Sequence, residues 1–390
     1  MKIAVLKERR AHEKRVAATP DSVKKLIGMG AEVAIEAGAG AAADYPDAAY
    51  AQAGAAIAAD AAAACAGAVI VLKVQRPMAA AEAEGGADEL AAMPRGANLI
   101  GLLSPHSDAA SVVRYASSGV NAFALELTPR ITRAQAMDAL SSQANLAGYR
   151  AVLEAAIVFG RAFPMMMTAA GTIAPARVVV LGAGVAGLQA IATARRLGAV
   201  VSAFDVRAAA KEQVESLGAT FIEVPSEETQ SAETAGGYAR EMSEDYKKKQ
   251  QQVLHDHLKK QDIVITTALV PGRAAPRLIT EAMLRDMKPG SVVLDMAVES
   301  GGNCALSESG KTVEANFVRI VGIPNLPSRI AADASALYAR NLVAFLALMI
   351  DAKEKVLNIP WDDEIVKAMA LTRDGEVAHP DFAAAARPGA

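Results

Sequence analysis

The sequence predicts an α/β protein of two Rossmann-like, doubly wound parallel-sheet domains joined by long helices. Three observations carry this reading. The chain has 390 residues, more than one ordinary hydrophobic core serves. Short apolar runs of strand length alternate with helical patterns through both halves, as in a parallel sheet covered by helices. At 177–187 the run RVVVLGAGVAG passes from a strand through a glycine-rich turn into a helix, the opening of a βαβ unit.

The elements follow in order. A strand at 2–6 precedes a helix that Thr19-Pro20-Asp21 should start, with Thr19 as N-cap and Pro20 at the first helical position. Gly30 ends that helix, and strands follow at 31–36, 69–74, 97–103 and 120–125. The alanine-rich stretch 48–66 between them reads as a surface helix. A long helix is expected from near Ala134 past Gly160, and Met165, Met166 and Met167 as fillers of irregular core space. Further strands are expected at 177–181, 200–205, 219–224, 262–266, 291–294 and 319–321. A polar segment at 225–260 breaks the rhythm, and a helix at 330–351 returns the chain to the first lobe. The expected domains are 1–137 completed by 328–390, and 138–327.

Composition narrows the function. Hydrophobic residues make up 52% of the chain and aromatics 4%, and small side chains suit close helix-on-sheet packing. With 40 basic and 43 acidic residues the balance gives no electrostatic case for nucleic acid, which needs a basic face. Two cysteines, Cys65 and Cys304, fit a reducing compartment and read as small buried hydrophobes, with no metal-type pairing. The N-terminus lacks the apolar stretch of a signal peptide. The apolar stretch 342–350 is too short to span a bilayer. The expected location is therefore cytoplasmic, with any membrane role exercised through a partner.

Gly182, Gly184 and Gly187 carry the chemistry. The first permits a tight turn, the second lets a pyrophosphate approach the backbone, and the third allows close helix–strand packing. The helix start offers unpaired N–H groups to the phosphates. Asp205 ends the next strand, 23 residues on, where a carboxylate binds ribose hydroxyls and repels a 2′-phosphate. The expected ligand is NAD(H) rather than NADP(H), although Arg207 could accept that phosphate. A second cluster, Arg130, Gln135, Asp138 and Ser141, falls around a helix start. Its residue types leave both a capped, solvated helix end and a cleft-facing site open. His255 and His257 are two apart on a helix and face away from each other.

Taken together, RITRAQAMDALSSQANLAGY, PMMMTAAGT, VLGAGVAGLQAIATARRLGA, FDVR, AETAGGYAREM, DIVITTALVPGRAAPRLI and DMAVESGGN resemble one family. It is the NAD(H)-binding component, domain I, of proton-translocating NAD(P) transhydrogenase. The resemblance is to the bacterial form whose alpha subunit is a separate soluble chain, and it runs to about Pro380. It implies direct hydride transfer between NADH here and NADP(H) on a partner component. A membrane-spanning component would couple the step to proton movement. It implies peripheral association with the inner membrane through those partners, and a homodimer, for which the helix at 337–350 is a candidate contact. It implies a nicotinamide side built from Arg130, Gln135, Asp138 and Ser141, with Gln135 towards the partner's NADP(H). The rest of the nucleotide would lie against Gly182, Ala183, Gly184, Val185, Ala186, Gly187, Asp205, Val206, Arg207, Ala268 and Leu269. Gly237 and Tyr238 would belong to a loop that closes over it. No metal is implied.

The same fold is shared with alanine dehydrogenase, which is the rival reading. By resemblance, its substrate lysine falls at Gln75, its histidine at Ser104 and its aspartate at Glu299; Arg15 alone survives. Oxidising an amino acid releases protons and needs a general base. Exchange of hydride between two nicotinamides needs positioning and water exclusion instead. His106, two residues beyond Ser104, reads as a surface histidine.

Overall fold

In the computed structural model the residues described are 1–82, 88–225, 242–269 and 272–386. Two compact units are formed, Met1–Gln143 with Pro327–Ala390, and Ala144–Leu326.

The first unit opens with β1 (Lys2–Val5) and α1 (Pro20–Gly28). Thr19 caps α1 reciprocally with Ser22, whose hydroxyl accepts the Thr19 N–H at 2.9 Å. β2 (Glu32–Glu36) follows. The stretch expected as one surface helix is instead α2 (Asp47–Gln52), β3 (Ala56–Ala58) and α3 (Ala61–Cys65). Gly54 turns the chain at φ +100°, and Asp60 caps α3 by accepting the Ala63 N–H at 2.8 Å. Between them, β3 pairs with β2. Alanine's helix preference is only tenths of a kcal/mol per residue, and sheet pairing plus a new cap outweigh it.

β4 (Ile70–Gln75), β5 (Asn98–Leu102), α4 (Ala109–Ser117) and β6 (Asn121–Ala124) complete a sheet of order β3-β2-β1-β4-β5-β6. Every pairing is parallel. Alternation along β1 sorts its side chains to two cores. Ile3 and Val5 join Val23, Leu26 and Phe345, whereas Ala4 and Leu6 join Ala64, Cys65, Val112 and Tyr115.

α5 (Ala139–Val158) starts later than expected, because 132–137 is a 3₁₀ turn, and it ends before Gly160. The three methionines expected in the core lie at the hairpin of β7 (Met166–Thr168) and β8 (Gly171–Ile173). Met165, Met166 and Met167 are 61%, 45% and 82% exposed. A two-stranded ribbon outside the main sheets has no packed face to offer them.

The second sheet is built from β9 (Arg177–Leu181), α6 (Val185–Arg196), β10 (Val200–Phe204), α7 (Ala210–Ser216) and β11 (Thr220–Phe221). It continues with α8 (Glu244–Leu258), β12 (Ile263–Thr266), α9 (Glu281–Asp286), β13 (Val292–Asp295), β14 (Lys311–Ala315) and β15 (Val318–Gly322). Its order is β11-β10-β9-β12-β13-β15-β14. β11 is far shorter than the strand expected at 219–224, with the Ile222 N–H donating to the Ala203 carbonyl at 2.8 Å just beyond it. β14 was not expected. It runs antiparallel to β15, and the residues between them, Asn316 and Phe317, both take positive φ. That is the backbone of a two-residue hairpin turn whose twist matches its strands. Val178 and Val180 face Val152 and Ile191, while Val179 and Leu181 face Leu254 and Leu284.

α10 (Ala331–Met349) and α11 (Glu364–Met369) return to the first unit. By length and composition alone, Leu326–Met349 could cross a bilayer. Tyr338, Leu342, Phe345, Leu346 and Met349, however, are buried in this unit's own core. On the same helix Leu337, Val343, Ala344 and Leu348 stay partly exposed. Cys65 and Cys304 are buried, and burial pushes their thiols up to about 11 and about 12. They behave as small hydrophobes.

Candidate nucleotide-binding site

In the second unit, β9 and β12 are the neighbours at which strand order reverses. Open α/β sheets bind ligands beyond the carboxyl ends of such strands. Gly182 follows β9 there, at φ +107°. A Cβ on it would lie 2.5 Å from Thr267 Oγ1, and one on Gly187 only 1.8 Å from the Gly182 carbonyl oxygen. Both positions therefore require glycine. Around Gly184 the space is open, with nothing within 4 Å of a built Cβ. Gly184 is the N-cap of α6, and no side chain caps that helix. An uncapped 12-residue helix behind an open glycine turn fits a pyrophosphate, which the first N–H groups and the positive end of the dipole would hold.

Asp205 stands beside this turn. Its Oδ2 accepts the Ala183 N–H at 2.8 Å, and its Oδ1 accepts the Arg207 backbone N–H at 2.9 Å. The Arg207 guanidinium also folds onto it, Nε to Oδ1 at 2.9 Å and Nη2 to Oδ2 at 2.8 Å. Val206 is half-buried against the β-sheet core. Val185 at the helix start is 38% exposed and Ala186 is also partly exposed.

Sequence reasoning missed the residues that support this turn. Asn303 is fully buried, and its amide holds the Ala268 backbone from both sides. Its Oδ1 accepts the Ala268 N–H at 3.1 Å, and its Nδ2 donates to Ala268 O at 2.9 Å and Pro276 O at 2.8 Å. Leu269 beside it is 44% exposed. Gly148 on α5 was also missed; a Cβ there would lie 2.0 Å from Ala186 O. The glycine lets α5 press against the first turn of α6. The GGN after Glu299 and the AGY on α5 were visible signals for both. Gly237 and Tyr238 lie outside the described residues.

Arg130, Gln135, Asp138 and Ser141 belong to the first unit, downstream of β6. Arg130 and Gln135 are exposed, the latter on the 3₁₀ turn Thr132–Met137. Asp138 accepts the Ser141 N–H at 2.9 Å and its hydroxyl at 2.6 Å, so the aspartate caps α5 and fixes the serine. Nearby, Asn341 fastens the same stretch, donating to Ala136 O at 2.8 Å and accepting from Ser142 Oγ at 2.7 Å.

The positions that the rival reading needs are differently placed. Arg15 is buried, and its Nε and Nη2 donate to the two oxygens of Glu13 at 2.8 and 2.6 Å. Its Nη1 donates to Gln143 at 2.8 Å, and Gln75 also donates to Glu13, at 2.7 Å. Ser104 takes φ +52° and its N–H donates to Glu126. Burial pushes Glu126 up to about 7, against the pull of the Ser104 and Leu103 N–H donors. Glu8, buried beside Lys73, is likewise pushed up to about 7. His106 is exposed and lies against Phe382, ring centroids 5.1 Å apart. Glu299 accepts the Asn325 N–H at 2.9 Å.

Two family models match the chain: the alanine dehydrogenase/PNT N-terminal domain over residues 4–147 and the C-terminal domain over residues 151–380. The chain belongs to the alanine dehydrogenase/PNT family. Within it, this family member is 57% identical over 380 residues to an NAD(P) transhydrogenase subunit alpha chain of Rhodospirillum rubrum, covering 97% of this chain and 98% of that one. Alanine dehydrogenase of Halomonas elongata is 30% identical over 389 residues, covering 97% and 95%. Among solved structures, a transhydrogenase from Sinorhizobium meliloti superimposes with a TM-score of 0.84 at 50% identity, covering 98% of this chain and all of that one. Both sheets of this family member are of the Rossmann-like kind expected from its sequence.

Proposed function

We propose that the chain is the NAD(H)-binding subunit of a proton-translocating transhydrogenase. The observation that carries this is the Gly182–Gly187 turn, open at Gly184 and flanked by the Asp205 carboxylate. In the reaction a hydride leaves NADH for NADP⁺ on a partner component, giving NAD⁺ and NADPH, and no proton is exchanged at the reacting carbons. The α6 start would hold the pyrophosphate, and Asp205 would hold the adenosine ribose. Arg130, Gln135, Asp138 and Ser141 would orient the nicotinamide, with exposed Gln135 towards the partner. The Asp138–Ser141 pair fixes its own geometry, which suits a positioning role. Val206, Ala268 and Leu269 would line the adenosine end, and Gly237 and Tyr238 would close over it.

The positions of the rival reading support this choice. Where a second cation would help bind a carboxylate substrate there is Gln75, and the fork of Arg15 is already matched by Glu13. Alanine dehydrogenase activity is the alternative reading, and it predicts NADH oxidation that depends on pyruvate and ammonium.

The same proposal makes the chain a homodimer, located in the cytoplasm and held at the inner membrane by NADP(H)-binding and membrane-spanning components. The domains proposed are 1–137 with 328–390, and 138–327. The test adds those two components to the purified chain and follows exchange between NADH and an NADP⁺ analogue. Stimulated exchange without pyruvate-dependent oxidation is expected; the reverse pattern overturns the proposal. Sedimentation tests the dimer, and membrane fractionation with and without the partners tests the location.

A further inference from the structure

Asp205 carries four hydrogen bonds on its two oxygens. Two come from backbone N–H groups, of Ala183 and Arg207, and two from the Arg207 side chain. An ionised carboxylate has about four lone-pair sites, so this one is saturated. The aspartate side chain is 7% exposed and the arginine 18%, so the pair is largely shielded from water. A ribose that is to donate its hydroxyls to Asp205 must first displace donors. The Ala183 N–H is fixed in the glycine turn, and the Arg207 N–H is fixed two residues along the chain. Only the guanidinium can leave by rotating a side chain.

We propose that Arg207 is a latch on the ribose pocket: it competes with the dinucleotide for Asp205 and must swing away before NAD(H) binds. This inference rests on the nucleotide site proposed above. The latch also sharpens the choice between dinucleotides. A 2′-phosphate is repelled by Asp205, and the Arg207 fork, which suits a phosphate, is held on that same carboxylate. Asp205 thus favours NAD(H) by its own charge, and its removal would release the arginine towards a phosphate.

The test titrates NADH and NADPH into the full-length chain and its variants, reading reduced-nicotinamide fluorescence and thermal shift. Arg207→Gln removes the competitor, and NADH binding should tighten about three- to ten-fold, the size expected when one net hydrogen-bonding contact no longer has to be broken. Arg207→Lys keeps the charge and loses the fork, and should give a smaller tightening; it also serves if the glutamine variant folds poorly. Asp205→Asn should weaken NADH at least about ten-fold and bring in NADPH binding through the released arginine. The double variant should lose that gain. If both arginine variants bind NADH as the parent does, or more weakly, there is no latch. If Asp205→Asn leaves NADH binding unchanged, the ribose assignment itself falls, whatever the arginine variants do.

Discussion

Gly187 shows how tightly a single residue can be specified. A methyl group there would lie 1.8 Å from the Gly182 carbonyl oxygen, well inside van der Waals contact, and that oxygen belongs to backbone that cannot rotate away. Gly187→Ala is therefore expected to destabilise the second unit by about 1–3 kcal/mol, seen in urea melts, and to abolish NADH binding by shifting the turn. Glu126 is a residue-scale case of a different kind. Its carboxyl is raised from an ordinary value of 4.5 to about 7, so the folded protein holds a proton that the unfolded chain releases. The folded state then binds more protons between these values, and stability falls as pH rises through them. The advantage is full below pH 4.5 and lost above about 7. Glu126→Gln should flatten this dependence by up to about 3 kcal/mol between pH 5 and 8, measured by denaturant titration. An unchanged slope would mean that the carboxyl is already ionised.

At the scale of elements, the start of α5 and the β7–β8 hairpin behave oppositely. Asp138 accepts both the backbone and the hydroxyl of Ser141, which makes it a helix cap and a fixed polar pair at once. Asp138→Ala should cost about 1 kcal/mol of stability and also weaken NADH binding. A loss of stability alone would mark it as a cap only. The hairpin side chains are expected to be dispensable to the fold. Met167 is 82% exposed, so Met167→Ser should change stability by less than about 0.5 kcal/mol in a thermal melt. A core methionine lost to serine would cost several times more.

For the whole molecule, the measure is linkage. A ligand that binds only the folded chain stabilises it by an amount set by its concentration over Kd, about 2.7 kcal/mol at a hundred-fold excess. NADH should therefore raise the melting temperature with concentration, and pyruvate should not. A shift with pyruvate alone would favour the dehydrogenase reading. The two sheets were legible in the sequence because each central strand is buried on both faces and reads as a continuous apolar run between helical patterns. The glycine turn was legible for a similar reason: its spacing is local, and only glycine tolerates the backbone it needs. Strand β3, hidden in an alanine-rich run, and the antiparallel β14 were not legible, since pairing with a neighbouring strand decided them against local preference. The sequence by itself determined the fold class, the glycine turn and the presence of Asp205 at the strand end. Tertiary structure alone decided that Asn303 holds the Ala268 backbone, that Glu13 matches Arg15, that Gly148 admits α6, and that Arg207 covers Asp205. Asn303 and Gly148 meet partners far along the chain. The Glu13–Arg15 and Asp205–Arg207 pairs, though only two residues apart, are set by side-chain rotation and burial, which composition and periodicity do not record.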